Sequence, residues 1–332
     1  MRKRKKAVMT KAVRFVLLAA MISITSICSA ITHRSLQAVD EDGVYTNSDI
    51  QTSAKFTVEG IILNKSEEMV DAQTWQIFIQ GENGDHAGTA VYMGKYNYPT
   101  GLLYSDADWA GEVVRANNRF QPGDRVRVTG LTWFYKGKTN INEQHQIAPA
   151  YNFTIDLIDP AVGLPEPEVI TLDMVKKPTG DFNFVPVSES DAATHHGCEW
   201  YQGVLVRIND VNISGTWGLN GTMTMKDSAG RTFPLQLGFG SGFAKYPAPT
   251  GQIDVIGIFD QESPANNPTI GYRIWVMNYD GNGSVLTDGC GLNGYHAGDI
   301  NKDCEVNFAD FAEMAANWLK CSNLSYNECT NP

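Results

Sequence analysis

Past residue 30 the chain has no apolar run long enough to span a bilayer. It lacks the short patterns that place a nucleophile, a zinc pair or a phosphate cradle: G-x-S-x-G, H-E-x-x-H, a Walker A run, or G-x-G-x-x-G leading into a helix. No CxxC pair occurs, so a thiolate zinc site would need unusual spacing. Basic residues are scarce: 26 Lys and Arg stand against 37 Asp and Glu in 332 residues, a formal charge of −11. These gaps leave no catalytic constellation, and a non-catalytic protein is expected. His195-His196 beside Cys198, and the neighbouring acids Asp106 and Asp108, are the clusters that invite a chemical role. A solvated loop, a buried thiol and a chance pair on an acidic surface are the plain readings of the same residues.

The N-terminus differs from the rest. Arg2, Lys3, Arg4, Lys5 and Lys6 form a basic patch, Phe15 to Ile27 is mostly apolar, and Cys28-Ser29-Ala30 resembles a small-residue cleavage site. Residues 1–30 read as a secretory signal peptide, with an uncleaved anchor as the alternative. Removing them takes away seven basic residues and no acid, which moves the formal charge from −11 to −18. Non-specific nucleic-acid binding rests on Lys and Arg displacing counterions, so this acidity works against a polyphosphate partner. The expected location is the cell envelope or the medium beyond it.

From residue 53 the pattern turns to short strands broken by turn residues. They are AKFTVEGIIL (54–63), TWQIFIQG (74–81), GTAVYMG (88–94), PGDRVRVTGLTWFY (122–135) and, as a fifth, NFTIDLID (152–159). On the fourth, Val126, Val128 and Leu131 mark one face, and Gly130 suggests a bulge or bend. Residues 31–52 read as loose, and 95–121 as an insertion rich in Tyr, Trp and Asp. Residues 160–177 form a Pro-punctuated connector with enough Leu, Ile and Val to pack on a domain. A second β region follows over 181–285, with a hairpin through Ser228-Ala229-Gly230.

The two halves echo each other. Pro122, Val126, Val128 and Gly130 match Pro249, Ile253, Val255 and Gly257 at a constant offset of 127, and FTVEGIIL resembles WYQGVLVRI. A mainly β fold is expected: two OB-like antiparallel barrels, over 53–177 with its connector and over 181–285, then a small calcium-loop-plus-helix tail over 290–332. An immunoglobulin-like sandwich is the competitor and would want about seven strands.

PGDRVRVTGLTWFYKGKTNI carries a GD-x-V-x-V-x-G strand followed by Y-x-G-x-T-x-I. It resembles the OB-fold modules of secreted bacterial nucleases and related extracellular proteins, over about residues 55–175. The resemblance implies the barrel, and as one alternative an accessory role to an extracellular nuclease. Within the stretch, Trp133 and Tyr135 are a candidate stacking surface for sugars or bases.

GDINKDCEVNFADF (298–311) has oxygen-bearing residues at the positions of a twelve-residue calcium loop. Asp299 is position 1, Asn301 is 3, Asp303 is 5, Glu305 is 7 through its carbonyl, Asn307 is 9 and Asp310 is 12. Val306 falls where a buried aliphatic residue is wanted. Cys304 replaces the usual glycine, and Asp replaces the usual terminal Glu. Phe308, Phe311, Ala312, Ala315, Trp318 and Leu319 then repeat at helical spacing. A polar turn capping a helix is the alternative. The stretch resembles the dockerin repeat, D-x-N-x-D-G-x-V-N-x-x-D, although only one repeat is present. That resemblance implies structural Ca2+, an unidentified protein partner for the tail, and a link to glycan binding in polysaccharide degradation.

Cys290, Cys304, Cys321 and Cys329 crowd the tail, which in an exported protein reads as two disulfides. Cys304 and Cys321 flank a helix about 18 Å long, so they do not pair easily. Cys290–Cys304 with Cys321–Cys329 and Cys290–Cys321 with Cys304–Cys329 both remain open.

Overall fold

In a computed structural model of the chain, strand patterning resolves into a mainly β fold with two closed five-stranded barrels. The residues described are 31–97, 102–117, 119–142, 153–188, 197–264, 267–286, 298–300 and 306–318. The expected signal peptide, His195, His196 and the four tail cysteines lie outside them.

The first barrel is preceded by α1 (His33–Gln37). Its elements are β1 (Lys55–Ile62), α2 (Ser66–Met69), β2 (Thr74–Gln80), β3 (Gly88–Gly94), the ribbon β4 (Tyr96–Asn97) and β5 (Leu102–Leu103), α3 (Asp106–Asn117), β6 (Arg125–Tyr135) and β7 (Lys138–Asn142). The order is β1-β2-β3-β7-β6, closed by β6 on β1. Neighbours are antiparallel except β3 and β7, which run parallel. This connectivity is OB-like.

The expected fifth strand needs correction. Residues 154–159 form β8 (Thr154–Asp159), a sixth strand, while Lys138–Asn142 takes the fifth place. The cause is the length of β6. Residues 125–131 pair with β1, 125–129 also carry β8, and 131–135 pair with β7. Val126, Val128, Gly130 and Thr132 point inward, and Leu131 sits on the outer face, opposite to expectation. Gly130 is not a bulge, because the register with β1 is unbroken from Lys55↔Leu131 to Ile61↔Arg125. Glycine is needed there for space: a Cβ would stand 2.7 Å from Ile141 Cγ2 and 2.7 Å from Phe153 Cβ.

The connector supplies β9 (Glu168–Val169) and α4 (Leu172–Val175) and packs on a domain, but its Ile170, Leu172 and Val175 enter the second core rather than the first, with which it was grouped. The second barrel has β10 (Leu205–Gly215), β11 (Thr222–Lys226), β12 (Thr232–Leu237), α5 (Gly242–Lys245), β13 (Ile253–Gln261) and β14 (Tyr272–Val276), with β15 (Val285–Leu286) beside β13. Its order, β10-β11-β12-β14-β13 closed by β13 on β10, repeats the first. Gly257 occupies the place of Gly130: a Cβ there would stand 2.7 Å from Ile274 Cγ2, and Ile274 on β14 corresponds to Ile141 on β7. The other echo is out of register. Val58 pairs with Val128 and Ile208 with Val255, so Val58 matches Ile208, and Gly203 lies ahead of β10.

Two stretches are more ordered than their sequence suggested. The 95–121 insertion folds into α3, whose Trp109 is buried in the first core and donates from Nε1 to the Ala72 carbonyl at 2.7 Å. Residues 31–52 are not loose, since His33 and Leu36 of α1 are fully buried.

The barrels share a seam. Leu63, Met69, Phe78 and Ala90 of the first pack with Leu205, Ile256, Ile258, Trp275 and Met277 of the second in one buried cluster. Phe78 on β2 and Ala90 on β3 belong to the outer strand 2–3 face, the face with which OB barrels take ligands. The flanking loops hold the second barrel as well: the Glu68 carbonyl accepts from Phe239 N at 2.7 Å and the Lys136 carbonyl from Ser263 N at 2.9 Å. Each large apolar side chain buried here contributes about 1.5–3 kcal/mol.

Candidate ligand face

Beyond the seam the outer face of β6 reaches solvent, while Ala90 on β3 and Asn140 on β7 beside it are buried. The two-residue turn Lys136-Gly137, with φ of 50° and 94°, joins β6 to β7 and fixes their register. Trp133 and Tyr135 therefore share the outer face, 41% and 50% exposed. Phe134 points the other way and leans on Tyr45, ring centroids 5.2 Å apart. Across the sheet, Trp133 faces Asn140, which faces Ala90, and the next row runs Leu131, Asn142, Tyr92. The side-chain oxygens of Asn140 and Asn142 are buried and find no hydrogen-bond partner among the described residues.

The charges along this strand pair are already matched. Arg125 bonds Glu82 and Asp159, and Arg127 bonds Glu59. Lys136 reaches across the seam to Glu262. Lys138 is buried and holds Asp260 together with the Gln261 carbonyl. Burial pulls the Lys138 pKa down, while Asp260 opposes the shift. Arg273 completes the set by bonding Asp260 and Glu262.

The other expected sites are placed as follows. Asp106 and Asp108 occupy the first turn of α3, where Asp106 pairs with Lys95 and Asp108 accepts from Ser105 Oγ at 2.6 Å. They serve a helix start rather than face each other across a cleft. Cys198 is fully buried and donates from Sγ to the Val175 carbonyl at 3.2 Å, and burial holds its pKa well above the ordinary thiol value. Such a thiol is inert.

In the tail, Asp299 and Asp310 are buried. Asp310 accepts from Ile300 N at 2.6 Å and from Asn307 N at 2.8 Å, which closes the loop end to end. Asn307 accepts from Ala309 N at 2.7 Å, and the two residues cap α6 (Phe308–Asn317) reciprocally. Asn301, Asp303 and Glu305 lie outside the described residues. Among the described residues no three His, Cys, Asp or Glu side chains gather at metal-binding distance. Asp299, Asn307 and Asp310 are nonetheless hard oxygen donors of the kind calcium takes. Val306 was expected to be buried and is 60% exposed; Phe308, Phe311 and Trp318 are exposed with it.

No family model matches the chain, and no curated protein does. A solved structure with partial similarity is a replication protein A heterotrimer bound to single-stranded DNA. The match has 9% identity and a TM-score of 0.24, and it covers 55% of this chain and 38% of that one. A likeness at that level carries no argument about the ligand, and the OB-like reading rests on the strand connectivity. Tyr92, Asn140 and Asn142 were missed in the sequence. The alternation in KTNIN put both amides on one face, but only the parallel pairing with β3 brings Tyr92 beside them.

Proposed function

We propose that the chain is an exported, non-catalytic binding protein that holds an uncharged, hydroxyl-rich polymer, a glycan, on the Trp133–Tyr135 face. One observation carries this reading: two exposed aromatic rings lie in line on a strand whose basic side chains are all matched to carboxylates. Aromatic faces stack on the apolar faces of sugars. A phosphate backbone would need free Lys or Arg. In the same reading the tail holds structural Ca2+ through Asp299, Asn301, Asp303, the Glu305 carbonyl, Asn307 and Asp310. The ion relieves repulsion among the three aspartates, and the tail attaches to a protein partner.

The test is retention of the full mature chain on insoluble polysaccharides and on immobilised single-stranded oligonucleotide. Retention on a polysaccharide that survives raised salt and is lost in Trp133→Ala/Tyr135→Ala supports the reading. Retention unchanged by the double substitution removes the face. Salt-sensitive retention on the oligonucleotide instead replaces the glycan with the nuclease-accessory alternative. For the tail, calcium calorimetry on the same chain should show one saturable site that Asp299→Ala/Asp310→Ala abolishes.

A further inference from the structure

We propose that residues 31–39 form a strap that ties the two barrels together, and that acid releases it through proton uptake by His33.

The strap touches both barrels. On the first, Gln37 clamps β7 from two sides, donating from Nε2 to the Thr139 carbonyl at 2.8 Å and accepting from Thr139 N at 3.1 Å. On the second, Arg34 lies over the Trp200 ring at 3.9 Å, and Val39 N donates to the Val187 carbonyl at 3.0 Å. His86, from the β2–β3 loop, stacks on the same Trp200 at 4.5 Å and pairs with Glu168. The strap thus crosses the seam next to the aromatic stack that joins the barrels.

Its anchor is His33, fully buried between β1 and β3. Nε2 lies 3.0 Å from the Glu59 carbonyl, which can only accept, so Nε2 carries the hydrogen. Nδ1 lies 2.8 Å from Thr89 Oγ1. That oxygen also receives Gln37 Nε2 at 3.4 Å, and with a neutral ring the Thr89 hydroxyl donates to Nδ1. A neutral ring has both of its nitrogens satisfied in this network. A proton on Nδ1 would turn the Thr89 hydroxyl from donor to acceptor and put a charge on a fully buried ring. Gly60 makes room for the ring, since a Cβ there would stand 3.1 Å from Nε2 and 2.4 Å from the Gln80 carbonyl.

The charged groups around it do not reverse this. Asp85, on the β2–β3 loop, accepts from His33 N at 2.7 Å and Arg34 N at 3.0 Å, and its charge favours protonation of the ring. Arg34 on the strap itself is held on Trp200, Glu59 directs its carboxylate to Arg127, and Glu168 of the second barrel is engaged by His86. Burial outweighs Asp85 and holds the His33 pKa below its usual 6.5. A folded-state pKa below the unfolded one means stability that is present above pH 6.5 and lost as the pH falls through the folded value.

Hydrogen exchange of the full mature chain across a pH series tests this, corrected for the intrinsic exchange rate and read beside the NMR titration of the His33 ring. Protection of residues 31–39 should fall below pH 6.5 together with proton uptake by His33, while β-strand amides of both barrels stay protected. In His33→Gln, protection of the strap, whether high or low, should no longer change with pH over that window. Protection that persists until the barrels themselves unfold, a ring that titrates without loss of protection, or an unchanged pH response in His33→Gln would each overturn the proposal.

Discussion

Glu199 is buried beside Cys198 in the second core, and its Oε1 accepts the Tyr272 hydroxyl. Burial pushes its pKa from 4.5 up to about 8, the tyrosine bond opposing the shift. A carboxyl whose folded pKa is raised contributes stability that is present below 4.5 and lost as the pH climbs through about 8. Glu199→Gln keeps an acceptor for Tyr272 and removes the titration. Urea midpoints of the variant should vary less than wild type between those limits and lie above wild type on the alkaline side. Gly88 makes a second residue-scale point. Its backbone lies against Gly203 across the seam, and a Cβ would stand 2.1 Å from the Gly203 carbonyl. Gly88→Ala should cost about 1–3 kcal/mol through overpacking, seen as a lower urea midpoint with an unchanged slope.

At the scale of elements, period-two alternation made the strands legible. The offset of 127 marked the same barrel strand twice, as the equivalent surroundings of Gly130 and Gly257 confirm. α3 was missed although its signal was present: Trp109, Val113, Ala116 and Phe120 repeat at helical spacing and line the first core. The aromatic and acidic content of the stretch masked that period. Trp109→Ala should therefore cost about 3–5 kcal/mol by chemical denaturation, as for a buried aromatic ring, and leave any glycan retention in place. α1 was hidden for another reason, because a five-residue helix anchored by a buried histidine has no repeat to read. Trp133 and Tyr135 were singled out as aromatics, but their face was not legible, since Leu131, which shares it, was read with Val126 and Val128; the amides beside them depended on a long-range parallel pairing.

At the scale of the whole molecule, the seam was written in strands that are apolar on both faces. IDVIGIF on β13 turns Val255 and Phe259 into its own barrel and Ile256 and Ile258 into the neighbour. Such runs mark strands covered on both sides, but they do not say by what. The seam adds a buried ionic group, Lys138 and Arg273 around Asp260. Asp260→Ala would leave two cations without their shared carboxylate and should cost about 3–5 kcal/mol. Because the second barrel covers the strand 2–3 face of the first, the two barrels should unfold as one body. Scanning calorimetry of the full chain at neutral pH tests this most directly. The barrels should melt in a single transition whose calorimetric and van't Hoff enthalpies agree. Two separate barrel transitions would contradict the shared seam and reopen the strand 2–3 face of the first barrel as a ligand site.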